Sequence, residues 1–89
     1  MRDRETALQA FAFALRRRRF RRGLSQEQVA NEGGLSRSHL SDLEGARVEP
    51  KLTTFLELAR VLGVPASSLM RDVERVYVRL EKLRQARRP

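Results

Sequence analysis

The sequence contains no cysteine and a single histidine, His39, in 89 residues. Without cysteine there are no disulfide bonds and no thiolate metal sites, and one imidazole cannot form a multi-histidine site. We therefore expect no metal and no other cofactor. The apolar stretch 10–15 is too short to cross a membrane and ends in arginines, which favours a cytoplasmic protein without membrane contact.

Charge is abundant and unevenly placed. Apolar residues make up 40% of the chain and charged residues 34%, a composition that suits one small folded domain. The formal net charge is +8, and six arginines fall within the seven residues 16–22. Such a basic chain favours a polyanionic partner, nucleic acid in preference to anionic lipid. No nucleophile-base pair, phosphate loop or carboxylate dyad is visible, so we expect no enzyme.

Apolar residues recur at helical spacing, and no alternating segment, sequence repeat or low-complexity linker interrupts them, which predicts an all-α fold. Caps and glycines mark the boundaries, with a capping box formed by Ser25 and Gln28. The predicted helices are a first from Asp3 or Thr6 to Arg22, a second from Gln26 to Gly33 and Gly34, a third after Ser36, a fourth from Leu52 to Leu62, and a last region opened by Pro65 and Ser67.

The last helical region carries a heptad seam at spacings of 4, 3, 4 and 3, with Tyr77 beside it: Leu69, Val73, Val76, Leu80 and Leu83. Two heptads are short for a free coiled coil, so this helix either packs on its own domain or pairs with a second copy. The expected organisation is a domain over 6–70, with a dimerisation or packing helix over 71–87.

The stretch 26–45 has the features of two short helices joined by a tight turn. Close approach of the two backbones calls for a small residue on the first helix, Ala30, and for a glycine at the turn, Gly34. Leu40 and Leu43, on the second of these two short helices, are expected to pack against Val29 and Ala30 of the preceding one. This arrangement presents the start of the following helix to the outside.

These residues carry a family resemblance that covers about 11–70. The motifs are Gly23-Leu24-Ser25-Gln26-Glu27-Gln28-Val29-Ala30, Gly34-Leu35-Ser36, Leu40-Ser41, Leu43-Glu44, Pro50, Leu58-Ala59 and Leu62-Gly63-Val64. In this order and spacing the sequence resembles the phage-repressor-like helix-turn-helix regulators of the Cro and lambda repressor type. The resemblance implies a five-helix DNA-binding domain, here with an additional or extended C-terminal helix, whose third helix enters the major groove.

The resemblance assigns base reading to the outward face of the third helix, at Ser36, Arg37, Ser38, Ser41 and Asp42. Arg37 is the best candidate because its guanidinium can donate twice to guanine; the alternative is a phosphate contact alone. Asp42 either accepts from a cytosine amine, holds an arginine in position, or sits unpaired at the edge.

Phosphate contacts are expected at six positions: Gln26, Arg21, Arg22, His39, Arg47 and Lys51. Gln26 matches a family position that contacts phosphate at a helix start, and its alternative is an ordinary first-turn residue. Arg47 and Lys51 flank the loop after the third helix, where the alternative is a solvated charge. His39 is otherwise a surface residue.

Not every arginine of the run is expected to face DNA. The resemblance pairs Arg19 inward with Glu44, as a structural ion pair. Arg18 stands where the family has an apolar residue, so we expect its stem on the core edge and its charged end in water. Phe13 and Phe20 form a second apolar stripe that needs a partner, in the chain or across a dimer.

Together these features predict a repressor that binds duplex DNA as a homodimer, on the bacterial nucleoid, at a palindromic operator with half-sites about 34 Å apart. An antitoxin or a restriction-modification controller of the same fold are alternatives within that class. From another class, the chain could be an adaptor whose C-terminal helix binds a protein partner while its basic helix grips nucleic acid non-specifically.

Overall fold

A computed structural model describes residues 3–87 and contains five helices and no strand within them. They are α1 (Arg4–Arg22), α2 (Gln26–Gly33), α3 (Arg37–Glu44), α4 (Leu52–Val61) and α5 (Ala66–Ala86). The all-α prediction is confirmed. Within 3–87, no helix combines the length and the apolar character that crossing a membrane requires.

The predicted caps determine where the short helices begin and end. Ser25 Oγ accepts from the Gln28 N–H at 3.0 Å, and Gln28 Oε1 accepts from the Ser25 N–H at 2.8 Å, which completes the capping box. Gly34 ends α2 in the left-handed region at φ 69°. Because side chains rarely adopt that conformation, the tight turn into α3 depends on this glycine.

One core joins all five helices. Leu15 of α1, Leu58 of α4 and Leu69 of α5 are fully buried there, and the Phe11 and Phe55 rings lie 5.8 Å apart between centroids. Arg60 of α4 adds a polar link by donating to the Glu32 carbonyl at the end of α2. Arg60 also donates to Glu57, and this hydrogen bond lowers the pKa of the Glu57 carboxyl. The short helices α2 and α3 therefore rest on a scaffold of α1, α4 and α5.

Helix α5 is continuous from Ala66 to Ala86, so the expected helix over 71–87 begins earlier and ends at residue 86. It packs mainly along α1 in an antiparallel arrangement. Ion pairs join the two helices at both ends. Arg84 Nη1 lies 2.6 Å from Asp3 Oδ1, and Arg18 Nε lies 2.6 Å from Asp72 Oδ2. Arg18, whose charged end was expected in water, is 24% exposed and pairs with the carboxylate of Asp72 on α5.

The heptad seam is used partly inside the chain. Leu69 is fully buried, and Val73 packs against the core. Val76 and Leu80 of the seam are half-buried, as is Tyr77 beside it. Leu83, at the far end, stays 56% exposed. The two aromatic residues of the second apolar stripe also remain exposed, Phe13 at 44% and Phe20 at 66%.

Candidate nucleic-acid interface

Helices α2 and α3 pack through the predicted small and apolar residues, with Val29 and Ala30 buried against Leu40 and Leu43. This contact fixes which face of α3 points outward. Arg37 and Ser38 are exposed there, and their side chains form no hydrogen bond to any of residues 3–87. The outward face therefore carries donors and acceptors that are free to contact a ligand.

The inward face of α3 ends in a buried polar network. Arg19 donates from Nε to Glu44 Oε2 at 2.6 Å and from Nη2 to Glu44 Oε1 at 2.9 Å. Arg19 Nη1 also donates to the Leu24 carbonyl, and Gln26 Nε2 donates to Glu44 Oε1 at 2.9 Å. Such a bidentate pair has a defined geometry, so it aligns α1, α2 and the end of α3. The pair inferred from the resemblance is present.

The five residues expected to read bases differ in how free they are. Ser36 is the N-cap of α3, and its Oγ accepts from the His39 N–H at 3.0 Å, which leaves its hydroxyl hydrogen to donate. Ser41 is half-buried, and its carbonyl accepts from Arg47 Nη2. Arg37 and Ser38 are the two residues of the set that are exposed and whose side chains form no hydrogen bond with residues 3–87.

Asp42, for which three roles were open, holds an arginine in position. Its Oδ1 accepts from Arg47 Nε at 3.0 Å, and both side chains are largely exposed. An exposed pair of this kind contributes at most about 1 kcal/mol to stability, so its main effect is to orient Arg47. The loop between them places Ala46, which is not a glycine, in the left-handed region at φ 59°.

The expected phosphate-binding residues fall into two groups. His39, Arg47 and Lys51 are exposed on α3 or in the loop that leads to α4. Arg22 instead donates to the Leu62 carbonyl at the end of α4, and Arg21 lines a groove between α1 and α5. Successive helical residues point about 100° apart, so neighbouring arginines at the end of α1 meet different surroundings.

Two contacts of this region lie outside what the sequence indicated. Gln26 was expected to face phosphate, yet its amide joins the Glu44 network. Arg16 Nη1 donates to the Glu44 carbonyl at the end of α3. Neither contact follows a helical period, so only the folded arrangement of α1 beside α3 reveals them.

A family model described as a helix-turn-helix domain matches residues 10–71. The chain belongs to the helix-turn-helix family. Members are DNA-binding transcriptional regulators and repressors, and they are not enzymes. A 64-residue stretch is 38% identical to the cryptic phage CTXphi transcriptional repressor RstR of Vibrio cholerae, covering 72% of this chain and 58% of that protein.

An uncharacterized helix-turn-helix-type transcriptional regulator of Sinorhizobium fredii, y4dJ, is 46% identical over 48 residues, covering 54% of this chain and 62% of that protein. The immunity repressor protein of Bacillus phage phi105 is 41% identical over 49 residues, covering 55% of this chain and 34% of that protein. The chain thus spans between about a third and three fifths of the length of these relatives.

Solved structures give the same fold. The restriction-modification controller protein C.AhdI of Aeromonas hydrophila is 35% identical with a TM-score of 0.68, covering 70% of this chain and 94% of that chain. The clp gene regulator ClgR of Corynebacterium glutamicum reaches a TM-score of 0.80 over 91% of this chain and 87% of that chain. At 22% identity, the second likeness concerns the fold alone.

Replacing Arg19 tests how much this helix-turn-helix depends on the buried pair. In Arg19→Ala, Glu44 keeps its carboxylate in a buried position without its main partner, and we expect a loss of about 3 to 5 kcal/mol in the free energy of unfolding. Urea unfolding followed by circular dichroism measures it. The control Arg17→Ala removes an exposed arginine that has no partner among residues 3–87 and is expected to change little. Equal stability of both variants would contradict the structural role.

Proposed function

We propose that this regulator is a repressor that binds duplex DNA sequence-specifically, with α3 in the major groove. The observation that carries the proposal is the contrast between the two faces of α3. Leu40, Leu43 and Glu44 anchor one face in the core, while Arg37 and Ser38 extend freely from the other. A helix anchored on one face can present one long and one short polar side chain to the edges of bases in a groove.

Within this proposal, Arg37 reads a guanine through O6 and N7, and Ser36, Ser38 and Ser41 make shorter contacts. Asp42 contributes by holding Arg47 toward the DNA backbone. Phosphates are contacted on both sides of α3. These contacts come from the backbone amide of Gln26 at the start of α2, because its side chain is half-buried and bonded to Glu44. They come also from His39, and from Arg47 and Lys51 of the following loop.

We further propose that two copies bind a palindromic operator, so that their recognition helices meet half-sites about 34 Å apart. The seam residues Leu69 and Val73 are already used within the protomer, so the second copy needs another apolar surface. Leu52 and Leu56 lie one turn apart on α4, 73% and 49% exposed. Both leucines lie just after α3 and the loop 45–51, and neither bears a charge. This favours them as the contact that the two copies share about a two-fold axis.

One comparison favours a more specific role. C.AhdI, a restriction-modification controller protein, is 35% identical and is covered over 94% of its chain, so a controller is the second candidate. A controller would use the same face of α3. Restriction and methyltransferase genes beside the gene for this chain would support it; their absence would favour a phage-type repressor or an antitoxin.

Selection of bound duplexes from random DNA tests the base-reading assignment. We expect one preferred site, and we expect Arg37→Ala to lose about 1 to 3 kcal/mol on it and to relax the preference at one position. The control Lys51→Ala removes a proposed phosphate contact. It should weaken binding to all sequences alike and reduce the slope of log K against log salt concentration by about one. An Arg37→Ala variant that kept the full preference would show that Arg37 does not read a base.

Sedimentation at several concentrations, with and without the selected duplex, tests the dimer. Leu56→Gln places a polar group on the exposed face of α4, and we expect it to yield monomers and to weaken operator binding without unfolding the chain. The matched control Leu83→Gln changes an equally exposed leucine on α5 and should leave the dimer intact. A dimer that survives Leu56→Gln would exclude α4 as the interface.

A further inference from the structure

We propose that the groove between α1 and α5 binds an acidic amphipathic helix of another protein. The groove has a volume of about 1050 Å³. It runs from Gln9 to Arg21 on α1, a length of about 18 Å or three helical turns. This site lies outside α3 and the loop that follows it. A protein partner bound there is a function beyond the DNA binding proposed above.

The floor of the groove is apolar. Phe13 faces it from α1, and Val76, Leu80 and Leu83 face it from α5. Phe13 and Leu83 remain 44% and 56% exposed there. Exposed apolar side chains that lie together in a groove are typical of a surface that binds a protein partner.

The rim of the groove is basic. It carries six cationic side chains and one carboxylate, Asp72, which Arg18 already holds at 2.6 Å. Five of the six cations are exposed and form no ion pair with any of residues 3–87: Arg17, Arg21, Arg75, Arg79 and Lys82. Uncompensated charge on both sides of an apolar floor selects a partner with acidic flanks.

The same charge pattern disfavours a second copy of this chain. In a two-fold dimer the same patch meets itself, so each basic rim would face another basic rim. Like charges brought together at an interface are strongly unfavourable. The exposed face of α4, which carries Leu52 and Leu56, has no such conflict and leaves the α1–α5 groove open in the proposed dimer.

The form of the partner follows from the groove. Two antiparallel helices with an apolar line between them accept a third helix, which buries its own apolar stripe and keeps all of its backbone hydrogen bonds. An extended peptide would find no strand edge to pair with among residues 3–87. A nucleic acid strand would satisfy the basic rim but leave the floor of Phe13 and Leu83 without apolar contact.

The test uses the full chain and a labelled 18-residue helical peptide with leucines at positions i, i+3, i+4 and i+7, flanked by glutamates. Fluorescence anisotropy should show saturable binding that weakens as salt rises. The same peptide with lysine in place of glutamate should not bind. Failure of the glutamate peptide to bind, or equal binding of both peptides, would overturn the proposal.

Variants of the groove then locate the site. We expect the double change Arg75→Glu and Arg79→Glu to weaken peptide binding about tenfold, and Leu83→Gln to weaken it severalfold. The matched controls are Arg71→Glu and Met70→Gln, which lie on α5 outside the groove and are comparably exposed. Circular dichroism melting checks that every variant is folded. Controls that weaken binding as much as the groove variants would overturn the assignment.

Two further outcomes identify a different occupant. If Leu83→Gln converts the dimer to monomers, the groove holds a second copy and the proposal is wrong. If the Arg75→Glu and Arg79→Glu variant loses affinity for random duplex DNA while the peptide does not bind, the groove holds nucleic acid. Unchanged DNA binding and an unchanged dimer, together with lost peptide binding, are the expected result, and they stand whether or not the operator assignment holds.

Discussion

The orientation of α3 depends on one buried charge pair. Glu44, at the end of α3, accepts two hydrogen bonds from Arg19 of α1 and one from Gln26 of α2. Because burying a carboxylate is costly without such partners, the three helices can meet in few other ways. The apolar contacts of Leu40 and Leu43 bury one face of α3, and the charge pair sets its register. The exposed positions of Arg37 and Ser38 follow from both.

The arginine run at the end of α1 serves several surfaces at once. Arg19 points into the core, Arg18 pairs with Asp72 of α5, and Arg22 donates to the end of α4. Arg17 and Arg21 point to the groove between α1 and α5. A run that suggests one polyanion by composition is thus divided by helical geometry among structural and binding roles. The side chains proposed to contact DNA lie instead on α3 and in the loop after it.

The sequence was sufficient for the fold because its signals are local. The Ser25 capping box, the Ser36 cap and the glycine at position 34 each act within a few residues, and the structure contains all of them. The site was only partly predictable. The freedom of Arg37 follows from helical spacing, but the bond from Gln26 to Glu44 and the pairing of Arg18 with Asp72 join residues 18 and 54 positions apart. Such contacts depend on how whole helices pack.

Amide chemical-shift mapping of the labelled chain, titrated with its selected duplex, tests the central claim most directly. We expect the largest changes at the start of α2, along residues 36–42 and in the loop 45–51. The exposed face of α5 should change little, because α5 packs mainly on α1 and α4 rather than on α2 and α3. Large changes along α5 with an unperturbed α3 would contradict the assignment of α3 as the DNA-reading element.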